Sequence, residues 1–478
     1  MAWDQLKPTP LHLSYLILST FLVFYTLFST SIKNRLYLAE PPLATALGFL
    51  LGPRCTGILQ PRAWYLGDHV TQELTRLTTG MQVFVVGLEL PQYYCTQHWK
   101  SVGMLLGPVM AGGWVVCALF IYLLFDTGIP TALIISACLT PTDPVLAASV
   151  LDSSEETPER IKRLLSAESG CNDGVSFPFL YIGLFILHHG SATEVAKAYL
   201  FITILWQCIC GITFGLLVLG FGGNRALRLA HGRGLISPQY FSLFHIVMAI
   251  FCIGLASTLG LDDFLLAFSA GVGFARDGWF SSARSASPPP VALIDLVMNS
   301  STFIYFGALI PWSAIGELPT ITAERVIGLV VLVLLFRRLP FVLAFKRWIP
   351  DIKTWKEALF CGHFGPMGVG ALFLAIEARA QLEGDMAPPL PRPPENGLDP
   401  DVKRAVDIIW PIVCLVVLGS IVVHGLSMSI GRLWYWVCRR KRVKSVLMNG
   451  SVEDRGEGAY HDGDDHDDLE QRAQGGLL

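Results

Sequence analysis

Charged residues are scarce in this sequence of 478 residues: they make up 15% of it, against roughly 25% in soluble proteins. Neither sign dominates, because 35 basic residues face 38 acidic ones and the net charge is −3. Such a balance creates no global field that would attract nucleic acid, so we expect no nucleic-acid partner. A water-soluble globular enzyme is disfavoured for the same shortage of charge.

Paired cysteines and catalytic motifs are also missing from the sequence. Its 11 Cys are scattered through apolar runs, without a CxxC pair or histidines at metal-ligand spacing. This pattern excludes a disulfide framework and a zinc site of the usual kinds. The sequence contains no Walker A loop, HExxH helix or Ser/His/Asp set, so we expect neither an ATP-driven pump nor an enzyme, and no cofactor.

Long hydrophobic runs are abundant instead. Hydrophobic residues make up 52% of the chain, and the mean hydropathy is +0.51. Runs close to the roughly 20 residues that cross a bilayer recur along most of the sequence. They predict an all-α polytopic membrane protein, in contact with membrane lipid, with about 13 transmembrane helices. The predicted spans are 12–30, 42–59, 74–90, 101–124, 131–151, 164–187, 198–220, 239–259, 261–276, 291–311, 323–345, 357–377 and 407–430.

The loops between these spans indicate an orientation. Alternate loops hold most of the Lys and Arg, and the basic cluster 439–444 falls on the richer side. Because short cytoplasmic loops retain positive charge, the N-terminus is expected outside and the C-terminus in the cytoplasm. We predict a transmembrane domain over 1–438 and a short disordered tail over 439–478, whose acidic His-containing end either is merely solvated or binds cations. The Pro-rich stretch 380–402 is predicted to be an external loop.

The fifth predicted span contains the sequence TPTDP, residues 140–144. Its two prolines remove backbone donors and break the helix within the membrane. The freed carbonyls, Thr142 and Asp143 would then offer oxygen ligands to a small hard cation. The alternative is a proline kink in which Asp143 only caps the second half-helix.

The sixth predicted span begins with SAESGCNDG, residues 166–174. Ser169 and Asp173 are four residues apart and therefore share a helical face, as do Glu168 and Asn172. An ionisable group at membrane depth costs roughly 2.5–3.5 kcal/mol on insertion scales, so such groups are usually functional. We expect Asp173 to exchange protons and a metal ion; the alternative is a structural carboxyl that is protonated or hydrogen-bonded.

A second interrupted helix is predicted at GHFGPMGVG, residues 362–370, in the twelfth span. Four glycines and a proline are incompatible with a continuous stable helix. The fifth and twelfth spans are seven apart, so thirteen spans divide into six plus one plus six. An odd offset inverts the second repeat relative to the first, which is typical of secondary transporters with a midplane site between broken helices.

Two arginines, Arg337 and Arg338, lie in the apolar eleventh span. Their charge can neutralise Glu168 and the exposed carbonyl ends of the half-helices. The alternative places both at the interface, with side chains that extend to the aqueous phase.

Four further residues are candidate accessory groups. Asp262 and Asp263 open the ninth span and either attract cations or cap its helix. Glu89 ends the third span, as a ligand or an interfacial residue, and His363 beside the twelfth-span break either titrates or packs.

The motifs TPTDPVLA, AESGCNDG, LDDFLLAFSAGVGFARDGWF and GHFGPMGVGALF, taken together, resemble the fungal plasma-membrane sodium/proton antiporters of the monovalent cation/proton antiporter superfamily. The resemblance covers roughly residues 10 to 440. It implies exchange of Na⁺ or Li⁺, and in some members K⁺, for H⁺. It also implies a homodimer in which a core domain moves against a dimerisation domain.

Carried over by position, the resemblance makes Asp173 the ion and proton carrier, with Asn172 beside it. It assigns the Na⁺ site to Asp173, Asp143, Thr142 and Ser169, and a structural ion pair to Glu168 and Arg338. We therefore expect a plasma-membrane antiporter that exports cytoplasmic Na⁺ for salt tolerance and pH homeostasis. A cation channel, or a K⁺/H⁺ exchanger of an internal membrane, is the alternative.

Overall fold

The structure is a computed structural model that describes residues 9–32, 38–64, 67–147, 157–188, 191–283, 290–384 and 399–453. Within these ranges every regular element is a helix, which confirms the predicted all-α architecture. The main helices, in chain order, are α1 (Pro10–Ser31), α2 (Glu40–Leu51), α3 (Asp68–Glu89), α4 (Trp99–Phe125), α5 (Ile129–Cys138), α6 (Glu159–His188), α7 (Ala192–Gly232), α8 (Pro238–Leu259), α9 (Asp263–Ala275), α10 (Pro290–Leu309), α11 (Ala323–Trp348), α12 (Trp355–His363), α13 (Val369–Glu383) and α14 (Pro400–Glu453).

Many of these helices can cross a membrane. Within the described ranges, 7 are long and apolar enough by length and composition. They are α1, α4, α6, α7, the run Leu293–Glu317 that includes most of α10, α11, and the Pro400–Ser427 part of α14. Shorter apolar helices include α5 and α9. The chain is therefore a multi-pass membrane protein, while the count of thirteen spans stays a prediction.

Several helix ends differ from the predicted spans. The second helix ends at Leu51 rather than at 59, because Gly52 and Pro53 follow it and residues 52–56 form turns. The third begins at Asp68 rather than at 74, so Asp68 and Gln72 lie inside α3 and not in the loop before it. Hydropathy alone misses such polar first turns.

The C-terminal part of the chain also differs from its predicted boundaries. Helix α13 runs to Glu383 and α14 starts at Pro400, so only the middle of the predicted Pro-rich loop is left, and 385–398 lies outside the described residues. Helix α14 continues to Glu453, past residue 438, where the tail is predicted to begin. The acidic end of the tail lies outside the described residues, so its disorder stays a prediction.

Most helices of the compact unit Met1–Met428 fall into two groups. In the first, which we term the crossing bundle, α4, α5, α6, α11, α12 and α13 pack together. In the second, the flanking bundle, α2, α3, α7, α8, α9 and α10 pack together. The bundles meet where α3 and α9 pack against α6 and α13. The second unit, Ser429–Leu478, contributes the C-terminal part of α14.

Small residues allow α3 and α9 to approach closely inside the flanking bundle. A Cβ atom at Gly271 of α9 would overlap the carbonyl oxygen of Phe84 in α3. One at Gly87 would likewise overlap the carbonyl oxygen of Phe268. Membrane helices commonly gain packing energy from such glycine contacts, since no hydrophobic effect draws them together in lipid.

Candidate functional site

Two helix interruptions meet at the centre of the crossing bundle. After α5, residues 139–143 are non-helical before a second helical segment begins at 144, and residues 364–368 separate α12 from α13. The two interruptions touch, because the Asp143 N–H donates to the Pro366 carbonyl at 2.7 Å. The two breaks predicted from proline and glycine therefore form one crossing point.

Asp143 caps both half-helices that start at this crossing. One carboxylate oxygen accepts the N–H groups of Val145 and Leu146, each at 2.9 Å. The other accepts the Val369 N–H at 3.1 Å, at the start of α13. A buried carboxylate thus faces the positive ends of two helices. Asp143 is therefore a helix cap, and a ligand role remains open to it, because Oδ2 accepts only one N–H group and keeps a lone pair.

Asp173 differs from the other polar residues of the site because its carboxylate is buried without a hydrogen-bond partner among the described residues. Its side chain is 1% exposed, and among the described residues neither carboxylate oxygen has a hydrogen-bond partner. It lies against the start of α13, where a Cβ atom at Gly370 would overlap its Oδ1. Asp143 lies against the same segment, since a Cβ atom at Gly368 would overlap its Oδ2. A buried carboxylate without hydrogen bonds needs a proton or a cation to neutralise it.

Three hydroxyl and amide side chains form a cluster between α6 and the first interruption. The Ser169 and Thr142 hydroxyl oxygens are 2.7 Å apart. The Asn172 side chain donates to the Thr142 hydroxyl at 2.7 Å and accepts the Thr142 N–H at 3.2 Å. Asn172 therefore holds the interrupted backbone in place, while Ser169, which shares a face of α6 with Asp173, brings the Thr142 hydroxyl against that helix.

The two arginines of α11 stabilise the other side of the crossing. Arg337 donates to the carbonyls of Leu139 and Thr140, at 2.6 and 3.0 Å, and to that of Gly365. These carbonyls belong to the interrupted segments, so its charge faces the negative end of a helix. Burial of both arginines, at 6% and 7% exposed, argues against side chains that reach the aqueous phase.

Arg338 forms a buried, two-point ion pair with Glu168. One guanidinium nitrogen contacts Glu168 Oε1, and the other donates to Oε2 at 2.6 Å. The Arg338 Nε also donates to the Cys361 carbonyl at 2.7 Å, near the end of α12. The arginine that pairs with Glu168 is thus the one assigned from the resemblance, and the pair ties α6, α11 and α12 together.

The candidate accessory residues lie in different places. Asp262 caps α9 by accepting the N–H groups of residues 264 and 265, while its second oxygen has no hydrogen-bond partner in the described part of the chain. Asp263 pairs with Arg76 at 3.4 Å and accepts the Ser257 hydroxyl at 2.8 Å. Glu89 is the exposed last residue of α3. The structure brings none of these into the hydrogen bonds around Thr142.

His363 is the exposed last residue of α12, and its ring centre is 5.5 Å from that of a second histidine, His424. The buried His424 of α14 has its Nε2 3.0 Å from the His363 carbonyl. Its Nδ1 lies 3.2 Å from the Ser420 hydroxyl, which accepts the Met367 N–H at 2.8 Å. This chain bridges the second interruption. Two polar residues four apart in an apolar span are the signal that sequence reasoning missed.

Arg76 and Glu377 are further residues that sequence reasoning missed. Glu377 lies in α13 at 6% exposed, and its carboxylate is within 3.4 Å of an Arg76 guanidinium nitrogen. The signal available for Glu377 is an acid inside an otherwise apolar helix. The signal available for Arg76 is its spacing of four and eight residues from Gln72 and Asp68, which places all three on one helical face.

The sequence matches known proteins over most of its length. A family model described as "Sodium/hydrogen exchanger, transmembrane" matches residues 19–431. The chain is 42% identical over 437 residues to a Na(+)/H(+) antiporter of Saccharomyces cerevisiae, covering 90% of this chain and 44% of that protein. It is 40% identical over 439 residues to Na(+)/H(+) antiporter 2 of Zygosaccharomyces rouxii, covering 90% and 54%.

Coverage differs among the relatives. The chain spans about half the length of the first relatives that it matches, namely 54%, 44% and 57%. A Na(+)/H(+) antiporter of Schizosaccharomyces pombe, 34% identical over 470 residues, is covered over 95% of its length. Among solved structures, the sodium proton antiporter MjNhaP1 of Methanocaldococcus jannaschii has the same fold, with a TM-score of 0.61 at 18% identity, covering 87% of this chain and 99% of that one.

Proposed function

Because this chain belongs to the transmembrane sodium/hydrogen exchanger family, we propose that it exchanges Na⁺ for H⁺ across a membrane at a single carboxylate, Asp173. The observation that carries the proposal is the state of that side chain. It is buried beside two crossing helix breaks, and both its oxygens lack hydrogen-bond partners among the described residues. The chain is then a secondary transporter and not an enzyme.

Competition between a proton and a cation is the core of the proposed mechanism. Asp173 cannot stay charged and unpartnered in a buried site, so it holds either H⁺ or Na⁺. Thr142 and Ser169 supply hydroxyl oxygens and Asp143 a carboxylate, which are ligands that hard cations prefer. Asn172, Arg337 and the Glu168–Arg338 pair hold the interrupted segments in place while the occupant changes.

Alternating access completes the cycle. Asp173 loaded with Na⁺ faces one side of the membrane, the crossing bundle moves against the flanking bundle, and H⁺ replaces Na⁺ on the other side. A proton gradient directed inward would then export cytoplasmic Na⁺, Li⁺ or K⁺ without ATP. We propose a homodimer in the plasma membrane, with the N-terminus outside and the C-terminus in the cytoplasm, that serves salt tolerance and pH homeostasis.

Purified protein in acid-loaded proteoliposomes tests this function. Adding external Na⁺ should alkalinise the vesicle interior with saturable kinetics, and Li⁺ and K⁺ compared at equal concentration would give the selectivity. Absence of cation-coupled proton movement from folded protein would refute antiport. Single-channel currents in planar bilayers would favour the channel alternative.

Asp143→Asn should raise the apparent KM for Na⁺ at least several-fold. The variant removes a negative charge from the site, and it replaces one acceptor oxygen by an NH₂ group that cannot accept the Val369 N–H. Exchange kinetics over a range of Na⁺ concentrations measure the effect. An unchanged KM would reduce Asp143 to a dispensable cap.

Gly370→Ala should strongly impair exchange, because the added methyl group would overlap the Asp173 carboxylate, where the ion has to bind. Gly254→Ala is the matched control, since a Cβ atom there meets no other atom within 4 Å. We expect wild-type activity from the control. Full activity in Gly370→Ala would show that Asp173 is not confined against α13.

A further inference from the structure

A ladder of polar contacts connects the two bundles on one side of Asp173. Asp68, Gln72 and Arg76, four residues apart on α3 of the flanking bundle, face α13 of the crossing bundle. Asp68 pairs with Arg379 at 3.1 Å. The Gln72 amide donates to Glu377 at 2.6 Å, and an Arg76 nitrogen lies 3.4 Å from the same carboxylate.

The middle of this ladder is buried. Gln72 is 2% and Glu377 6% exposed, and the Arg76 side chain is 15% exposed. A second carboxylate of the flanking bundle, Asp263, is 3.4 Å from the Arg76 Nε. The Arg76 charge therefore compensates two buried carboxylates, Asp263 in the flanking bundle and Glu377 in the crossing bundle. Removal of one partner from a buried charged network is costly, because the remaining charge is left uncompensated.

A layer of aromatic rings lies between the ladder and Asp173. Phe264 of the flanking bundle packs between Phe177 and Phe373 of the crossing bundle, with ring centres 5.9 and 4.9 Å away. Phe177 and Phe373 are 6.1 Å apart, and all three are buried. Phe177 lies one turn beyond Asp173 on α6. The Arg76 guanidinium is 5.4 Å from the Phe373 ring centre, so the layer and the ladder are continuous.

We propose that the ladder and this aromatic layer form the external gate of the transporter, with Arg76 and Glu377 as the positioning residues that hold it shut. The proposal rests on the proposed function and on its orientation, which places the N-terminal end of α3 and the C-terminal end of α13 outside. Neither residue needs to contact the transported ion. Both join surfaces that must separate before Asp173 can open to the outside.

The gate determines whether Asp173 can be reached from outside the membrane. The contacts of the ladder exist only while the two bundles are closed on this side. A variant that weakens them therefore shifts the population toward the state open to the outside. A purely structural role would lower stability or total activity without changing accessibility in one direction.

External labelling of a cysteine placed beside the site tests the gate. Leu265 packs against Gly174, the neighbour of Asp173, and lies next to Phe264 in the aromatic layer. The full chain carrying Leu265→Cys is expressed in cells and treated outside with a membrane-impermeant methanethiosulfonate reagent. Mass spectrometry of the peptide with the new thiol gives its labelling rate and separates it from the native cysteines.

Adding Arg76→Gln or Glu377→Gln to this protein should raise the labelling rate about tenfold, within the roughly 5–150-fold range of typical coupling between states. The double variant should add little to either single one, because both remove the same contact. Gln72→Ala, which removes only one neutral hydrogen-bond donor, should act in the same direction more weakly. It provides the test if the charge variants do not fold.

Arg160→Gln is the matched control. It breaks an Arg–Glu contact of 3.0 Å to Glu357, but this pair joins α6 to α12 inside the crossing bundle. The control should leave labelling unchanged. Equal labelling in the gate variants and the parent, equal increases in the control, or multiplied effects in the double variant would each overturn the gate. If labelling responds as expected but the parent protein shows no Na⁺/H⁺ exchange, the proposed function fails and the gate remains.

Discussion

Asp173→Asn should abolish Na⁺-dependent proton exchange, with a loss of roughly two orders of magnitude or more, the scale of removing a single proton-transferring group. The amide keeps the size of the side chain but can carry neither an exchangeable proton nor the charge that attracts Na⁺. The fold should survive, since no hydrogen bond to Asp173 from the described residues is lost. Initial rates in proteoliposomes, at equal protein content, measure the effect.

Asp126→Asn is the control for this change. Asp126 has a left-handed backbone with φ of 47°, a conformation that Asn also tolerates, and its side chain is 91% exposed. The control should transport at the wild-type rate. Substantial exchange by a folded Asp173→Asn protein would remove Asp173 from the mechanism and leave the family assignment without a carrier group.

Glu168→Gln should destabilise the protein by about 3–5 kcal/mol, the range measured when one partner of a buried ion pair is removed. The variant leaves the Arg338 guanidinium buried without a negative partner, in contact only with neutral acceptors such as the introduced amide oxygen and the Cys361 carbonyl. Because this pair joins three helices around the crossing, thermal unfolding in detergent should begin at a clearly lower temperature. Transport should fall with the loss of folded protein.

Glu159→Gln provides the comparison on the same helix. Glu159 and Arg163 lie one helical turn apart, with Arg163 Nε 3.5 Å from Glu159 Oε1. Their side chains are 65% and 49% exposed, respectively. An exposed pair of this kind contributes about 0.3–0.5 kcal/mol, so the control should unfold close to the wild-type temperature. Equal stability of the two variants would mean that the Glu168–Arg338 pair is not a structural anchor.

The helix interruptions and the buried acid Asp173 could be predicted from the sequence because their signals are local. Proline removes a backbone hydrogen bond and glycine lowers helix stability, whatever segment packs against them. The motifs TPTDP and GHFGPMGVG therefore predict helix breaks from the local sequence alone. Asp173 is conspicuous for a similar reason, as an acid in an apolar helix. The sequence also places Ser169 on the face of Asp173, since only helical periodicity is needed.

The contacts between distant segments could not be predicted in the same way. That Asp143 would cap α13 as well as its own half-helix depends on how two breaks 220 or more residues apart meet, as the contact to Val369 shows. The contact of Arg76 with Glu377 spans 301 positions. The start of α3 was hidden further by hydropathy, which assigns polar first turns to a loop. Tertiary packing decides such partners.

Proton release on Na⁺ binding tests the central claim, competition at one carboxylate, most directly. Purified protein in weakly buffered detergent solution is titrated with Na⁺ while a pH indicator records liberated protons, for the wild type and for Asp173→Asn. We expect the wild type to release close to one proton for each Na⁺ bound, and Asp173→Asn to release none. Na⁺ binding without proton release by the wild type, or unchanged release by Asp173→Asn, would contradict the account.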